Sequence, residues 1–296
     1  GDRVVAGLDV YGATFSLLKS FLPRWGIEAE WVDVADFAQV AAALIKPRTK
    51  LLLVESVSNP LLRVADLDRL GELVHRQPGV RLIVDNTFAT PALLRPLEHG
   101  ADDVVHSTTK FIGGHGDVTG GVIVSTQPHI EALRETNKMI GAVASPFDAW
   151  LTLRGLRTLE VRITRQSETA AHLAEWLRQQ PEVARVFYPG LPTHPDHSVA
   201  ARLFGRQFGA MISFELAAGR DAALRFLSRT RYFAPATSLG DVWSLALYPA
   251  MSSHRALTAA ERAAVGISDG LVRVSVGLES YADLEEDLRH AISEGD

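Results

Sequence analysis

Apolar and polar residues alternate in short blocks along the first half of the chain. Arg3 to Leu8, Ala29 to Val34, Leu51 to Glu55, Arg81 to Asp85 and Val104-Val105 are mostly apolar runs, followed within two residues by Asp9, Asp36, Ser56, Asn86 and His106. Each predicts a buried strand. Between them, Ser16 to Trp25 (closed by Gly26) and Phe37 to Leu44 (closed by Pro47) predict helices. So do Val64 to Arg76, with Leu67, Leu70 and Val74 on one face, and a short segment from Leu93 to His99. Strands alternating with such helices predict an α/β fold with a mostly parallel, doubly wound sheet. Gly121 to Val124 adds another strand. Asp148 to Gln180 is an almost unbroken helical pattern, one helix or two in series. After it, Gly209 to Leu216, Trp243 to Leu247 and Leu271 to Val276 predict strands, with helices near Asp221 to Ser228 and Tyr281 to Ile292. The expected division is an α/β domain over 1–155 and a smaller α+β domain over 156–296.

Composition narrows the function. With 47% hydrophobic and 22% charged residues, the 296-residue chain has the make-up of a globular protein. A net charge of −5 and the lack of a Lys/Arg-rich arm set aside nucleic acid as a partner. There are no cysteines, which excludes disulfides, cysteine nucleophiles and thiolate metal sites and is compatible with a cytoplasmic protein. No apolar run approaches the roughly 20 residues that span a bilayer, so no membrane association is expected. The chain begins Gly1-Asp2 rather than with Met, and a preceding segment is expected to have been removed.

The chemistry gathers in Val104 to Val124, V-V-H-S-T-T-K-F-I-G-G-H-G-D-V-T-G-G-V-I-V. Lys110 falls just past a strand end, on a loop whose glycines permit positive φ and close approach to a ligand. An amine held there is suited to a Schiff base once burial lowers its proton affinity. The loop alone also reads as a solvated lysine beside a glycine-rich turn. Upstream, R-L-I-V-D-N-T-F-A-T-P places Asp85 at the end of a buried strand, where a carboxylate needs a cation or good hydrogen bonds. A pyridinium nitrogen is such a cation. In doubly wound sheets the site lies beyond the carboxyl ends of the strands. Tyr11, Asn59, Asp85 and Lys110 all fall there, so one crevice is expected to hold them.

Together, D-N-T-F-A-T-P and H-S-T-T-K-F-I-G-G-H-G-D resemble the Cys/Met-metabolism family of pyridoxal 5′-phosphate (PLP) enzymes, over essentially the whole chain. That family includes cystathionine γ-lyases and γ-synthases, methionine γ-lyases and O-acyl-homoserine sulfhydrylases. The resemblance implies a fold-type-I PLP enzyme acting on a small amino-acid substrate as a homo-oligomer, a dimer or tetramer. It implies that Lys110 carries the cofactor and shuttles protons, that Asp85 keeps the pyridine nitrogen protonated, and that Ser107 and Thr109 bind the phosphate. Tyr11 would stack on the ring and protonate the leaving group. Asn59 would contact the cofactor's 3′ oxygen and the substrate carboxylate. Arg273, in L-V-R-V-S-V-G-L-E, would clamp that carboxylate with support from Ser238, or else pair structurally with an acid such as Glu279. His106, His115 and Asp117 are too closely spaced to make a metal site the better reading, and no metal is expected.

Two departures from the family bear on activity. Its members carry a further segment before the position of Gly1, with a phosphate-binding loop and a Tyr-x-Arg motif that reaches a neighbouring subunit. The expectation is therefore either a working C–S lyase or γ-replacement enzyme, or a catalytically impaired truncated homologue or partner subunit. A PLP aminotransferase is a further alternative. Trp243, in S-L-G-D-V-W-S-L, stands where the cystathionine enzymes have a glutamate suited to a distal ammonium group. An indole lacks that charge but can stack on an apolar or cationic tail. Methionine γ-lyases share G-H-G-D and S-L-G-D but have a cysteine where this chain has Ala13.

Overall fold

The apolar blocks of the first half become the strands of one sheet: β1 Arg3–Gly7, β2 Glu28–Val32, β3 Thr49–Glu55, β4 Arg81–Asp85 and β5 Asp103–Ser107. The computed structural model describes residues 1–252, 255 and 258–293. In the first sheet the order is β2-β1-β3-β4-β5-β6, where β6 is Gly121–Ser125. The first five strands are parallel and β6 is antiparallel to β5. Consecutive strands β1 and β2 therefore run outward on one side, and β3 to β5 on the other. The chain reverses direction between β1 and β3, which is where doubly wound sheets bind ligands.

Helices α1 Gly12–Ser16, α2 Phe37–Leu44 and α3 Leu67–His75 connect these strands. The side chains of Asp36 and Asp66 cap α2 and α3 by accepting their first free N–H groups. The predicted helix over Ser16 to Trp25 is replaced by α1, a π turn (Leu17–Phe21) and a 3-10 turn (Leu22–Trp25) closed by left-handed Gly26. Pro23, without an N–H, favours the tighter ending. The segment predicted as a helix over Leu93 to His99 splits into α4 Thr90–Leu93 and a 3-10 turn at Pro96–His99. Pro96 drives Arg95 out of helical conformation (φ −113, ψ 88). Helix α5, Gln127–Ile140, has no buried residue.

The long helical pattern becomes two helices in series, α6 Pro146–Leu156 and α7 Leu159–Leu177. A second sheet of order β7-β8-β11-β10-β9 follows, from β7 Val183–Phe187, β8 Met211–Leu216, β9 Ala234–Pro235, β10 Leu245–Leu247 and β11 Leu271–Ser275. Apart from the parallel β9/β10 pair it is antiparallel. Its core joins Leu173 and Leu177 of α7 to Phe214, Val272 and Val274, and to Leu284 and Leu288 of the C-terminal helix Tyr281–Ile292. The chain forms two compact units that do not follow its linear order. One comprises Gly1–Asn59, Val64–Thr109 and Asp117–Arg154; the other comprises Pro60–Arg63, Lys110–Gly116 and Gly155–Asp296.

Candidate active site

In the first unit, Glu55 and Asp85 end neighbouring parallel strands and are partners in the register. Both line a cavity of about 160 Å³ with Val10, Thr14, Leu53, Val54 and Val105. Asp85 Oδ1 accepts from Thr87 twice, from its N–H at 3.0 Å and its hydroxyl at 2.5 Å. The same hydroxyl oxygen accepts the N–H of Ser107 at 2.9 Å, which ties the end of β5 to that of β4. Burial raises the Asp85 carboxyl above the ordinary carboxylate range, and the bonds from Thr87 oppose that rise. Glu55 is pushed up further, first by burial and then by the charge of Asp85, with Asp9 adding to it. Its Oε1 accepts the Tyr11 N–H at 2.5 Å.

Tyr11 begins α1 at the N-cap position, 53% exposed. Asn59 is buried at the end of the loop after β3, where Val57 bridges back to Val64. The hydroxyl of Thr109 is bonded to Gly120, accepting its N–H at 3.0 Å and meeting its carbonyl at 3.4 Å. His106 is buried on β5, and burial pushes its imidazole down to about 4.

In the second unit, Lys110 lies at a kink (φ −95, ψ −137) and its Nζ donates to Ser238 Oγ at 3.0 Å. The carbonyl of Ser238 accepts from Arg273 Nη2 at 3.1 Å, so one serine joins amine and guanidinium. Arg273 is 2% exposed in the middle of β11, paired in register with Leu247 and Ser213. Burial lowers the proton affinity of Lys110, the Arg273 cation lowers it further, and the Asp241 carboxylate opposes both. Glu279, the acid named as a structural partner for Arg273, accepts instead from Ser244 N–H at 2.6 Å and its hydroxyl at 2.9 Å. Trp243 is 44% exposed, its ring edge beside Gly116, where an added Cβ would lie 3.0 Å away. His115 Nδ1 donates to Gly113 O at 2.7 Å. Among the described residues no group of three or more His, Asp or Glu is arranged around a metal position.

Within the first unit the fold thus joins Tyr11 to the strand end beside Asp85; within the second it joins Lys110, Ser238 and Arg273. Glu55 and Asp241 were not marked by pattern. Glu55 ends an apolar strand just as Asp85 does, and that signal was available for it. Thr87 bonds the carboxyl two residues before it, as expected of a strand-end Asp that caps the next turn, whereas Asp241 acts through contacts that sequence spacing does not display.

Residues 1–293 match the family model described as Cys/Met metabolism PLP-dependent enzyme. The chain is 46% identical over 294 residues to a cystathionine γ-synthase of Mycobacterium leprae, covering 99% of this chain and 74% of that protein. It is 43% identical over 294 residues to an L-methionine γ-lyase of Fusobacterium nucleatum, with the same two coverages. The crystal structure of cystathionine γ-synthase from Xanthomonas oryzae pv. oryzae in complex with aminoacrylate and cysteine superposes with a TM-score of 0.94. That match has 45% identity over 99% of this chain and 75% of the other.

Proposed function

The chain belongs to the Cys/Met-metabolism family of PLP-dependent enzymes, and from that premise we propose that Lys110 is its reactive amine and Ser238 and Arg273 its substrate clamp. The enzyme is of the cystathionine γ-synthase and γ-lyase type, working in trans-sulfuration and methionine metabolism. The residues present fit the cofactor: a buried lysine of lowered proton affinity, a strand-end carboxyl beside a cavity, and hydroxyls on Ser107 and Thr109 for a phosphate. Lys110 and Asp85 would hold it by amine and ring nitrogen, Tyr11 and Asn59 by ring face and 3′ oxygen. When bound, PLP supplies an electron sink that makes the substrate Cα–H acidic.

The chain's own groups do the rest. Arg273 receives the substrate carboxylate in its planar fork. Lys110, neutral in a larger fraction than an exposed lysine, takes the Cα proton and returns it later. Asp85, held by Thr87, would serve as the anionic partner of the ring nitrogen. Tyr11 gives a proton to the departing sulfur or acylated oxygen. Elimination releases ammonia and a keto acid; replacement installs a thiol. The observation that carries this reading is Ser238, which accepts from Lys110 and Arg273 through different oxygens.

Trp243 supports a substrate with an apolar or acylated tail, such as methionine or an O-acyl-homoserine, over one with a distal ammonium group. Exposed apolar side chains at Met139, Ile140, Val143, Phe147 and Trp150 of the first unit support a homo-oligomer. The test is turnover of a panel of sulfur and O-acyl amino acids by Lys110→Ala. Loss on the order of 10⁴-fold is expected; preserved activity contradicts the assignment. Conversion of PLP to pyridoxamine phosphate by the wild type would favour an aminotransferase instead.

A further inference from the structure

The Lys110 turn is gripped by a side chain that the proposed chemistry does not use. Arg162, near the start of α7, is only 4% exposed. Its Nη1 donates to Phe111 O at 2.8 Å, and its Nη2 to Ile112 O at 3.3 Å and Gly155 O at 2.8 Å. Its Nε donates to Thr158 Oγ1 at 3.0 Å. A buried cation is costly unless it is well paired and fully hydrogen-bonded. Here the fork is directed at backbone carbonyls, two of which belong to the residues that follow Lys110.

The carbonyl of Lys110 itself accepts from Gly114 N–H at 2.8 Å, so three successive carbonyls are fixed. Packing leaves little slack around them. A Cβ at Gly114 would lie 2.2 Å from Arg162 Nη1, one at Gly155 2.3 Å from Gly113 O, and one at Gly240 2.6 Å from Phe111 N. Glycines from three segments thus close on one turn, and at its start Lys110 departs from helical conformation. The Asp241 carboxylate acts on both cations, opposing the fall in proton affinity that burial causes at Arg162 and Lys110.

We propose that Arg162 is a positioning residue for Lys110: by holding the peptides after the lysine it fixes the line from Lys110 to Ser238 Oγ along which the amine acts. This rests on Lys110 being the reactive amine. A lysine would keep the charge but lose the planar fork, and misplacement of a reacting group by a fraction of its reach costs large factors in rate.

The test follows the rate at which PLP, trapped with cyanoborohydride, labels Lys110 in the full chain, with labelling of exposed Lys19 as the internal reference. Arg162→Lys is measured beside Thr158→Val, which removes one anchor of the guanidinium and leaves the cation in place. Thermal midpoints identify any variant that has lost its fold. Slowing at Lys110 by about 10-fold or more, with Lys19 unchanged, and a fall in kcat at constant KM are expected in both variants. Wild-type labelling at Lys110 that persists at the same rate in the folded variants overturns the role of Arg162. Wild-type label on other lysines alone overturns the reading of Lys110 itself, and this proposal with it.

Discussion

The two units solve one electrostatic problem with opposite signs. In the first, two carboxyls, Glu55 and Asp85, end adjacent parallel strands and line one cavity. In the second, two cations, Lys110 and Arg273, meet at Ser238. Burial and a like charge push the weaker member of each pair toward neutrality: Glu55 upward, Lys110 downward. The partners differ in support. Asp85 receives two hydrogen bonds from Thr87, whereas Glu55 accepts the Tyr11 N–H. Unequal environments assign charge to one member and a proton, or its absence, to the other, which is how acid and base roles are separated in one site.

This comparison can be broken at several points. The largest effect is expected from Asp85→Asn, which leaves the carboxamide in place but removes the charge for a ring nitrogen. Loss of kcat on the order of 10²-fold or more is expected, with weaker PLP retention on dialysis; unchanged retention and turnover would detach Asp85 from the cofactor. Arg273→Lys comes next. It keeps a cation beside Lys110 but replaces a two-pronged donor with a point charge. Steady-state kinetics should show KM raised by about 10-fold, within the range for bonds to charged groups, while kcat changes less. A fall in kcat alone would assign Arg273 to the chemistry rather than to the carboxylate.

The smallest effect sharpens the carboxyl pair. With its folded proton affinity raised, Glu55 binds a proton in the native chain at pH values where the unfolded chain has lost it. Its contribution to stability is therefore present at low pH and declines as pH rises above the ordinary carboxylate range. Glu55→Gln removes that slope. Thermal scans across pH should show the variant gaining on the wild type from mildly acidic to neutral pH, by a midpoint shift of about 2 °C. Parallel curves would mean that Glu55 titrates normally.

Much of this was legible in the chain. The strands ending at Glu55 and Asp85, the turn at Lys110 and the buried Arg273 strand all follow from apolar runs stopped by a polar residue, and the alternation with helices gave the parallel sheet. Other parts left weaker traces. Helix α5 buries nothing, although Pro128 in its first turn and left-handed Gly141 after it mark its two ends. The strand β7 and the helix His197–Phe204 were passed over because V-A-R-V-F is interrupted by Arg185 and H-S-V-A-A-R-L-F is short. Arg162 had no sequence signature for its hold on the Lys110 turn, since the two carbonyls it takes there lie about 50 residues earlier. The composition of the second unit is likewise long-range: Lys110–Gly116 joins it from the middle of the first.

The central claim is that the fold holds Lys110 as an amine of lowered proton affinity. Trace acetylation of the full chain across pH, read peptide by peptide, tests it directly. The exposed lysines Lys19, Lys46, Lys50 and Lys138 correct for changes in the reagent. The reactivity of Lys110 should reach half its plateau below about 10.4, the ordinary lysine value. A midpoint at or above that value would mean that the second unit leaves the amine charged, and would contradict the account.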